Sequence, residues 1–329
     1  MPRIRSLPED FQVEEIPYET PSGEGPHAWI WIEKRLRNTA DVARDLAEAL
    51  DLERRQVGYA GRKDKLAVTR QWFSVPDADP ERVRGLEIEG AQILEVARHG
   101  ERLRVGALEG NRFVLVVREV DPAEVPEMAA RFDRILERGL PNRFGQQRFG
   151  RHGDNAERGA ELLKQPRIRG DRRQAWFLLS ALQSAVFNEV LARRPAAVDE
   201  LMAGDLAVVH ATEAYEWISS PEARQDAVRR FELSPTGPIF GTKMRWPRGA
   251  VADLERQVMA SFGVEERQWS KLPRGARLFG QRRPLRVPVT DGRLVPGEQH
   301  SVELTFRLPA GSYATVLLEE LLPGGFDEG

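Results

Sequence analysis

The chain has 329 residues, of which 41% are hydrophobic and 30% charged, with a formal net charge of −2 and no cysteine. Without cysteine there is no disulfide framework, no thiolate nucleophile and no Cys-ligated zinc or iron-sulfur centre. No stretch approaches the ~18 consecutive apolar residues of a membrane span, and the N-terminus Met1-Pro2-Arg3-Ile4-Arg5-Ser6 lacks the apolar region of a secretory signal, so a cytoplasmic protein of two domains, without a membrane partner, is expected.

Phe11 to Ile16 and His27 to Ile32 read as strands separated by a Pro/Gly loop from Pro17 to Pro26. Thr39 is expected to cap a helix running to about Leu50, with Val42, Leu46 and Leu50 on one face. A strand at Val57–Ala60, a polar turn from Gly61 to Ala67 and a strand from Val68 to Val75 follow. Further strands are expected at Gln92–Ala97, Arg102–Leu108 and Phe113–Val117, then a helix over 122–138 with Met128, Phe132 and Ile135 on its apolar stripe.

After Gly139 the character changes. Gly, Asn, Gln and Arg crowd Pro141 to Asn155, a long helix carries Leu179, Leu182, Val186 and Val190, and Pro/Gly-rich connections are expected over Ser234–Pro247 and Pro273–Pro284. A strand at Val302–Leu308 and a helix at Tyr313–Leu322 complete the chain. Strands and helices are mixed without regular βαβ alternation, which predicts an α+β fold with a mixed, mostly antiparallel sheet. Residues 1–138 and 286–329 are expected to form one domain, and 139–285 an inserted α/β domain.

The densest cluster of chemistry is Gly61-Arg62-Lys63-Asp64-Lys65-Leu66-Ala67-Val68-Thr69-Arg70-Gln71, where one carboxylate lies between two lysines in a turn opened by glycine. The lysines favour its ionised form, which suits a nucleophile or base. By itself such an aspartate is more often a turn former or a surface ion-pair partner. The longer motif resembles the active-site signature G-x-K-D-K-x-A-x-T-x-Q of the TruD pseudouridine synthases. Asp10–Glu15, Gly110-Asn111-Arg112-Phe113, Pro141–Gly150, Ser180–Asn188 and Phe306–Thr315 resemble further segments of that family, in the family's order, so the resemblance spans nearly the whole chain.

The resemblance implies a pseudouridine synthase catalytic domain plus a TruD-specific insertion, acting on uridine 13 of tRNA. It implies Asp64 as the catalytic carboxylate, Phe113 as the ring facing the uracil, Phe11 and Phe306 as nearby substrate contacts, and Asn111 as a hydrogen-bonding partner that reads a base edge or holds the loop. Read from pattern alone, aromatics on strands are usually core residues. The resemblance implies no metal or organic cofactor. Glycines 145, 150 and 153 do not form a dinucleotide turn, no phosphate-binding loop is present, and the five histidines lack metal-ligand spacing, so no nucleotide cofactor is expected. A monomer is expected.

RNA binding has a signal of its own. Arginine dominates the basic residues, only six of 49 being lysine, which reflects either genome composition or a preference for the phosphate-forking guanidinium. One basic cluster comprises Arg143, Arg148, Arg151, Arg158, Lys164, Arg167, Arg169, Arg172 and Arg173. A second comprises Lys271, Arg274, Arg277, Arg282, Arg283 and Arg286, with no acidic residue between Gln268 and Thr290. These are expected to hold phosphates, with Phe144, Phe149 and Trp269 adding stacking. A non-catalytic RNA-binding or RNA-folding protein would keep the clusters without needing Asp64, and a glycosidase-like hydrolase would release free uracil.

Overall fold

The computed structural model describes residues 1–150, 152–165, 171–271 and 278–328. The chain divides into two compact units, Met1–Asp133 with Val289–Ala314 and Leu318–Gly329, and Arg134–Pro288 with Thr315–Leu317.

The first part of the chain runs β1 (Arg3–Ile4), β2 (Phe11–Pro17), β3 (His27–Arg35), α1 (Thr39–Ala49), β4 (Gly58–Tyr59), β5 (Val68–Pro76), α2 (Pro80–Arg84), β6 (Ala91–His99), β7 (Leu108–Val117) and α3 (Val125–Arg138). The middle of the chain holds β8 (Leu140–Pro141), α4 (Asn155–Lys164), α5 (Arg172–Arg193), β9 (Leu206–Val209), β10 (Ala214–Trp217), α6 (Pro221–Arg229), β11 (Leu233–Ile239), α7 (Gly249–Ser261), α8 (Glu266–Lys271), β12 (Gln281–Pro284) and β13 (Arg286–Val287). The last part is β14 (Thr290–Pro296), β15 (Val302–Pro309), α9 (Ala314–Leu321) and β16 (Asp327–Glu328).

The first unit is built on a sheet ordered β14-β15-β7-β2-β5-β3-β6, with β4 added against β5. Its pairings are antiparallel except β2 with β5, giving a mixed, mostly antiparallel sheet. Period-two alternation explains how it packs. Along β3, Ala28, Ile30 and Ile32 are buried and meet Val42, Leu46 and Leu50 of the α1 region, and Phe73 and Val75 of β5 continue the same core. On β2, Phe11, Val13 and Glu15 share one buried face.

Two local expectations are corrected here. The N-cap of α1 is Asn38, not Thr39. The Thr39 hydroxyl instead accepts from Lys63 N at 2.9 Å and lies 2.8 Å from Gln71 Oε1, so it is committed to the loop. Arg102–Ala107 is a turn and not a strand; Gly106 takes φ +94° and its N–H reaches Ala60 O at 2.7 Å, which diverts the backbone from sheet pairing.

The second unit carries an antiparallel sheet ordered β10-β9-β11-β12. By composition and length α5 could cross a membrane, but its apolar residues serve the protein core: Leu179, Leu182, Val186 and Val190 pack with Phe240, Val258 and Trp269. Leu233–Ile239 is a buried strand despite Pro235 and Pro238, which corrects the expected connection there. Gln281–Pro284 is likewise a strand, while 273–277 of the expected second connection lie outside the described residues. Trp269 is a core residue, 1% exposed, and so is unavailable for stacking on RNA.

Candidate active site

The loop between β4 and β5 is anchored at several points by groups from the sheet and α1. Gln71, buried at the fourth position of β5, donates from Nε2 to Gly61 O at 3.0 Å. Thr39 Oγ1 receives Lys63 N, and Lys34 Nζ donates to Asp64 O at 2.7 Å. Main-chain groups on three loop residues are thereby fixed by buried side chains, which is how an irregular segment is held in one conformation.

Lys34 follows Ala28, Ile30 and Ile32 at spacing two, so the alternation that buries those three also buries its ammonium. Burial pushes Lys34 down to about 8, against the charge of Asp64 and with that of Lys63. Lys63 points inward. Its ammonium lies 2.9 Å from Glu15 Oε2 and donates to Asn111 Oδ1 at 2.7 Å. Register explains this meeting, because Glu15 on β2 faces Asn111 directly on β7. Burial raises Glu15 above the usual carboxylate range, and Lys63 opposes that rise. The preceding Gly110 is required by close approach: a Cβ there would stand 2.3 Å from Leu308 O of β15.

The Asp64 side chain remains 41% exposed. Arg5 Nη2 lies 3.1 Å from its Oδ2, while Arg5 Nη1 reaches Glu328 at 2.8 Å and the guanidinium carbon sits 4.1 Å from the centre of the Phe11 ring. The Arg5 side chain is 6% exposed and its backbone adopts φ +56°, a conformation few L-residues take, so surrounding contacts must hold it. The result is an accessible carboxylate whose backbone is clamped and whose charge is matched by a buried guanidinium.

Phe113 and Phe306 face one another across β7 and β15 with ring centres 5.2 Å apart, stacked at 20°. Phe11 meets Phe113 edge-on at 6.4 Å. All three rings are buried, and Phe113, 6% exposed, retains the most exposure. The structure thus brings Asp64 and Phe11 together through Arg5, Phe11 with Phe113 and Phe306 through the rings, and Asn111 with the loop through Lys63. Arg5, Glu15 and Lys34 were not singled out from sequence, and Lys63, expected to favour the ionised form of Asp64, turns its ammonium inward to Glu15 and Asn111 instead. Charged residues at inward positions of β2 and β3 were the signal that marks Glu15 and Lys34.

The second unit revises the basic clusters. Arg282 is 7% exposed and forks onto Glu255 at 2.8 and 2.7 Å, and Arg286, 1% exposed, donates to the carbonyls of Arg138 and Val228. Neither is free to hold phosphate. Arg283 donates to Asn142 and lies over Phe144, 4.2 Å from its ring centre. Arg148 bonds Ser184, Arg158 pairs with Asp154 and Lys164 with Glu161. Arg151, Arg167, Arg169, Arg274, Arg277 and the side chain of Lys271 lie outside the described residues. Among the described residues no three His, Asp or Glu side chains converge to hold a metal ion.

Comparison with known proteins places this arrangement in a family. The model of tRNA pseudouridine synthase D (TruD) matches residues 2–167 and 171–321. The tRNA pseudouridine synthase D of Geobacter metallireducens is 38% identical, over 98% of this chain and 95% of that protein. That of Anaeromyxobacter sp. strain Fw109-5 is 42% identical over 98% and 93%, and that of Thermus thermophilus 39% over 97% and 88%. The fold matches the crystal structure of a Methanosarcina mazei protein described as a putative TruD, with a TM-score of 0.78 at 20% identity over 97% of this chain and 93% of that one. With the family model and these relatives each covering nearly its whole length, the chain belongs to the TruD family of tRNA pseudouridine synthases and is an isomerase.

Proposed function

We propose that the chain converts uridine 13 of tRNA to pseudouridine, with Asp64 as the catalytic carboxylate. The observation that carries this reading is the exposed Asp64 carboxylate on a loop clamped by Lys34, Thr39 and Gln71 and paired with buried Arg5. Such a carboxylate needs little reorganisation before it reacts.

The reaction breaks the C1′–N1 bond, turns the uracil and joins C5 to C1′. C5 loses its proton and N1 gains one, so no electrons are exchanged and no redox cofactor is called for. Asp64 serves as nucleophile at C1′, as nucleophile toward the base, or as the base that removes the C2′ proton. To reach it, the uridine must leave its stack, as in other base-modifying enzymes. Phe113, the least buried of the three rings, lies on the same strand as Asn111 with Phe11 and Phe306 packed around it, and stacking of the base on it offsets part of the unstacking cost, by ~1–3 kcal/mol.

The test is tritium release from C5-labelled tRNA, with the product mapped by position. Stoichiometric release from position 13, abolished in Asp64→Asn while RNA binding persists, is expected. Tight tRNA binding without release from any uridine would instead leave an RNA-binding protein.

A further inference from the structure

Beside the candidate active site the first unit carries a second feature that the isomerisation does not use. A groove of about 840 Å³ is lined by Arg54, Arg55, Arg102 and Arg104, together with Val57, Gly58, Tyr59, Leu103 and Val105. All four arginines are exposed and no carboxylate lines the groove. On its rim Glu53 pairs with Arg55 at 2.5 Å. Among the described residues, Arg54 and Arg104 have no carboxylate partner. Four guanidinium groups around one concavity repel each other, and the fold gains nothing from leaving two unmatched.

The groove has a fixed shape. Arg102 donates to the carbonyls of Arg55 and Val57, tying one wall to the other. Gly58 forms the floor by close approach: a Cβ there would meet Leu103 O at 2.3 Å and Ser74 Oγ at 2.4 Å. Leu103 N in turn donates to Ser74 Oγ at 2.9 Å. The wall is also joined to the loop of Asp64, since Gly106 N donates to Ala60 O, the residue just before Gly61. β4 pairs with Phe73 and Ser74, whereas the loop rejoins the sheet at Val68, five positions earlier, about 17 Å along the strand. A folded RNA is large enough to span that separation.

We infer that this arginine groove binds the phosphate backbone of the substrate RNA at a distance from the reacting uridine, through Arg54 and Arg104 with Arg55 and Arg102 in support. The inference rests on the RNA-modifying reading above. Charge and geometry favour phosphates over an acidic protein, because the guanidinium fork matches phosphate oxygens and four arginines meet in one concavity with no carboxylate among them. Exposed Val105 and the partly buried Tyr59 add apolar surface beside the guanidinium groups, against which a sugar or base edge can rest.

The experiment compares Arg54→Ala/Arg104→Ala with the intact chain for tRNA affinity across a salt series. The control is Arg82→Ala/Arg293→Ala, which removes the same charge from other exposed positions of this unit. Affinity of the groove variant is expected to fall about tenfold at 0.1 M salt, and the slope of log K against log salt to become shallower by between about one and two. The control is expected to change far less, and Arg54→Glu/Arg104→Glu to weaken binding further. An equal loss in the control overturns the groove in favour of a general charge effect. Unchanged affinity in both groove variants, with an intact chain that binds and isomerises tRNA, overturns the groove alone and leaves an acidic protein as its occupant. An intact chain that neither binds nor isomerises tRNA overturns the underlying reading as well.

Discussion

Lys63 Nζ lies 2.9 Å from Glu15 Oε2 inside the first unit, with the two side chains 5% and 0% exposed, and the same ammonium donates to Asn111. The loop that carries Asp64 is thus pinned by a charge pair that neither partner can leave without stranding the other in the interior. Lys63→Met is expected to destabilise the fold by about 3–5 kcal/mol, because Glu15 then lacks its counter-charge. Glu15→Gln is expected to cost less, since the amide still accepts from Trp72 N.

The pH dependence gives this pair a sign. Glu15 titrates higher in the fold than its ordinary value of 4.5, because of burial. From 4.5 up to that raised value the folded chain holds a proton that the unfolded chain has released, so this group's contribution to stability falls as pH rises. Urea unfolding between pH 4.5 and 8 is expected to show that fall in the intact chain and a flatter profile in Glu15→Gln. Identical profiles would remove Glu15 as the source.

Among the described residues Arg5 is the one guanidinium bound to Asp64, and it also covers the Phe11 ring. Arg5→Ala is expected to lower single-turnover tritium release about 100-fold, since small misplacements of a reacting group cost that much, with a smaller change in tRNA affinity. Arg5→Lys keeps the charge without the fork and should fall between. Glu328→Gln loses only a half-exposed pair, so its rate is expected to stay within about twofold of the intact chain.

The strands were legible where alternation was clean. Phe11–Pro17 and His27–Arg35 show inward apolar residues at spacing two, whereas Val68–Pro76 is buried without a break from Gln71 to Val75. β11 was not, because Pro235 and Pro238 read as breakers. Proline removes only the donor, however, and Pro235 O still accepts from Leu285 N at 2.9 Å. Arg102–Ala107 erred the other way: its apolar pattern suits a strand, but Gly106 turns the chain toward Ala60. Asp64 and the aromatic positions came from the motifs. The groups that hold them did not, because Arg5, Lys34 and Glu15 reach the site only through sheet register.

Lys34 provides a test of the backbone clamp on Asp64. Burial lowers it from 10.5 to about 8, so between those values the unfolded chain carries a proton that the folded chain has lost. Its contribution to stability therefore rises with pH across that window. Lys34→Met removes both the titration and the donor to Asp64 O. Unfolding free energies measured from pH 7.5 to 10.5 are expected to rise less steeply in the variant, and its turnover at neutral pH to fall about tenfold or more. A variant with unchanged turnover would show that the Lys34 contact does not position the loop.

Arg282 separates a basic cluster in sequence from a basic surface in space. It lies in the arginine-rich stretch expected to meet RNA, but Glu255 on α7, together with the hydroxyl and carbonyl oxygens of Thr236, takes up its guanidinium inside the second unit. Burial raises Glu255, and Arg282 opposes it, so losing the arginine strands a carboxyl group in the core. Arg282→Ala is expected to destabilise the fold by about 3–5 kcal/mol. Arg282→Ala/Glu255→Ala should recover part of that loss, because no charge is then left unpaired. At a temperature where both variants remain folded, their tRNA affinity and its salt slope are expected to match the intact chain. A shallower slope in Arg282→Ala alone would mean that this guanidinium leaves Glu255 to meet phosphate when RNA binds.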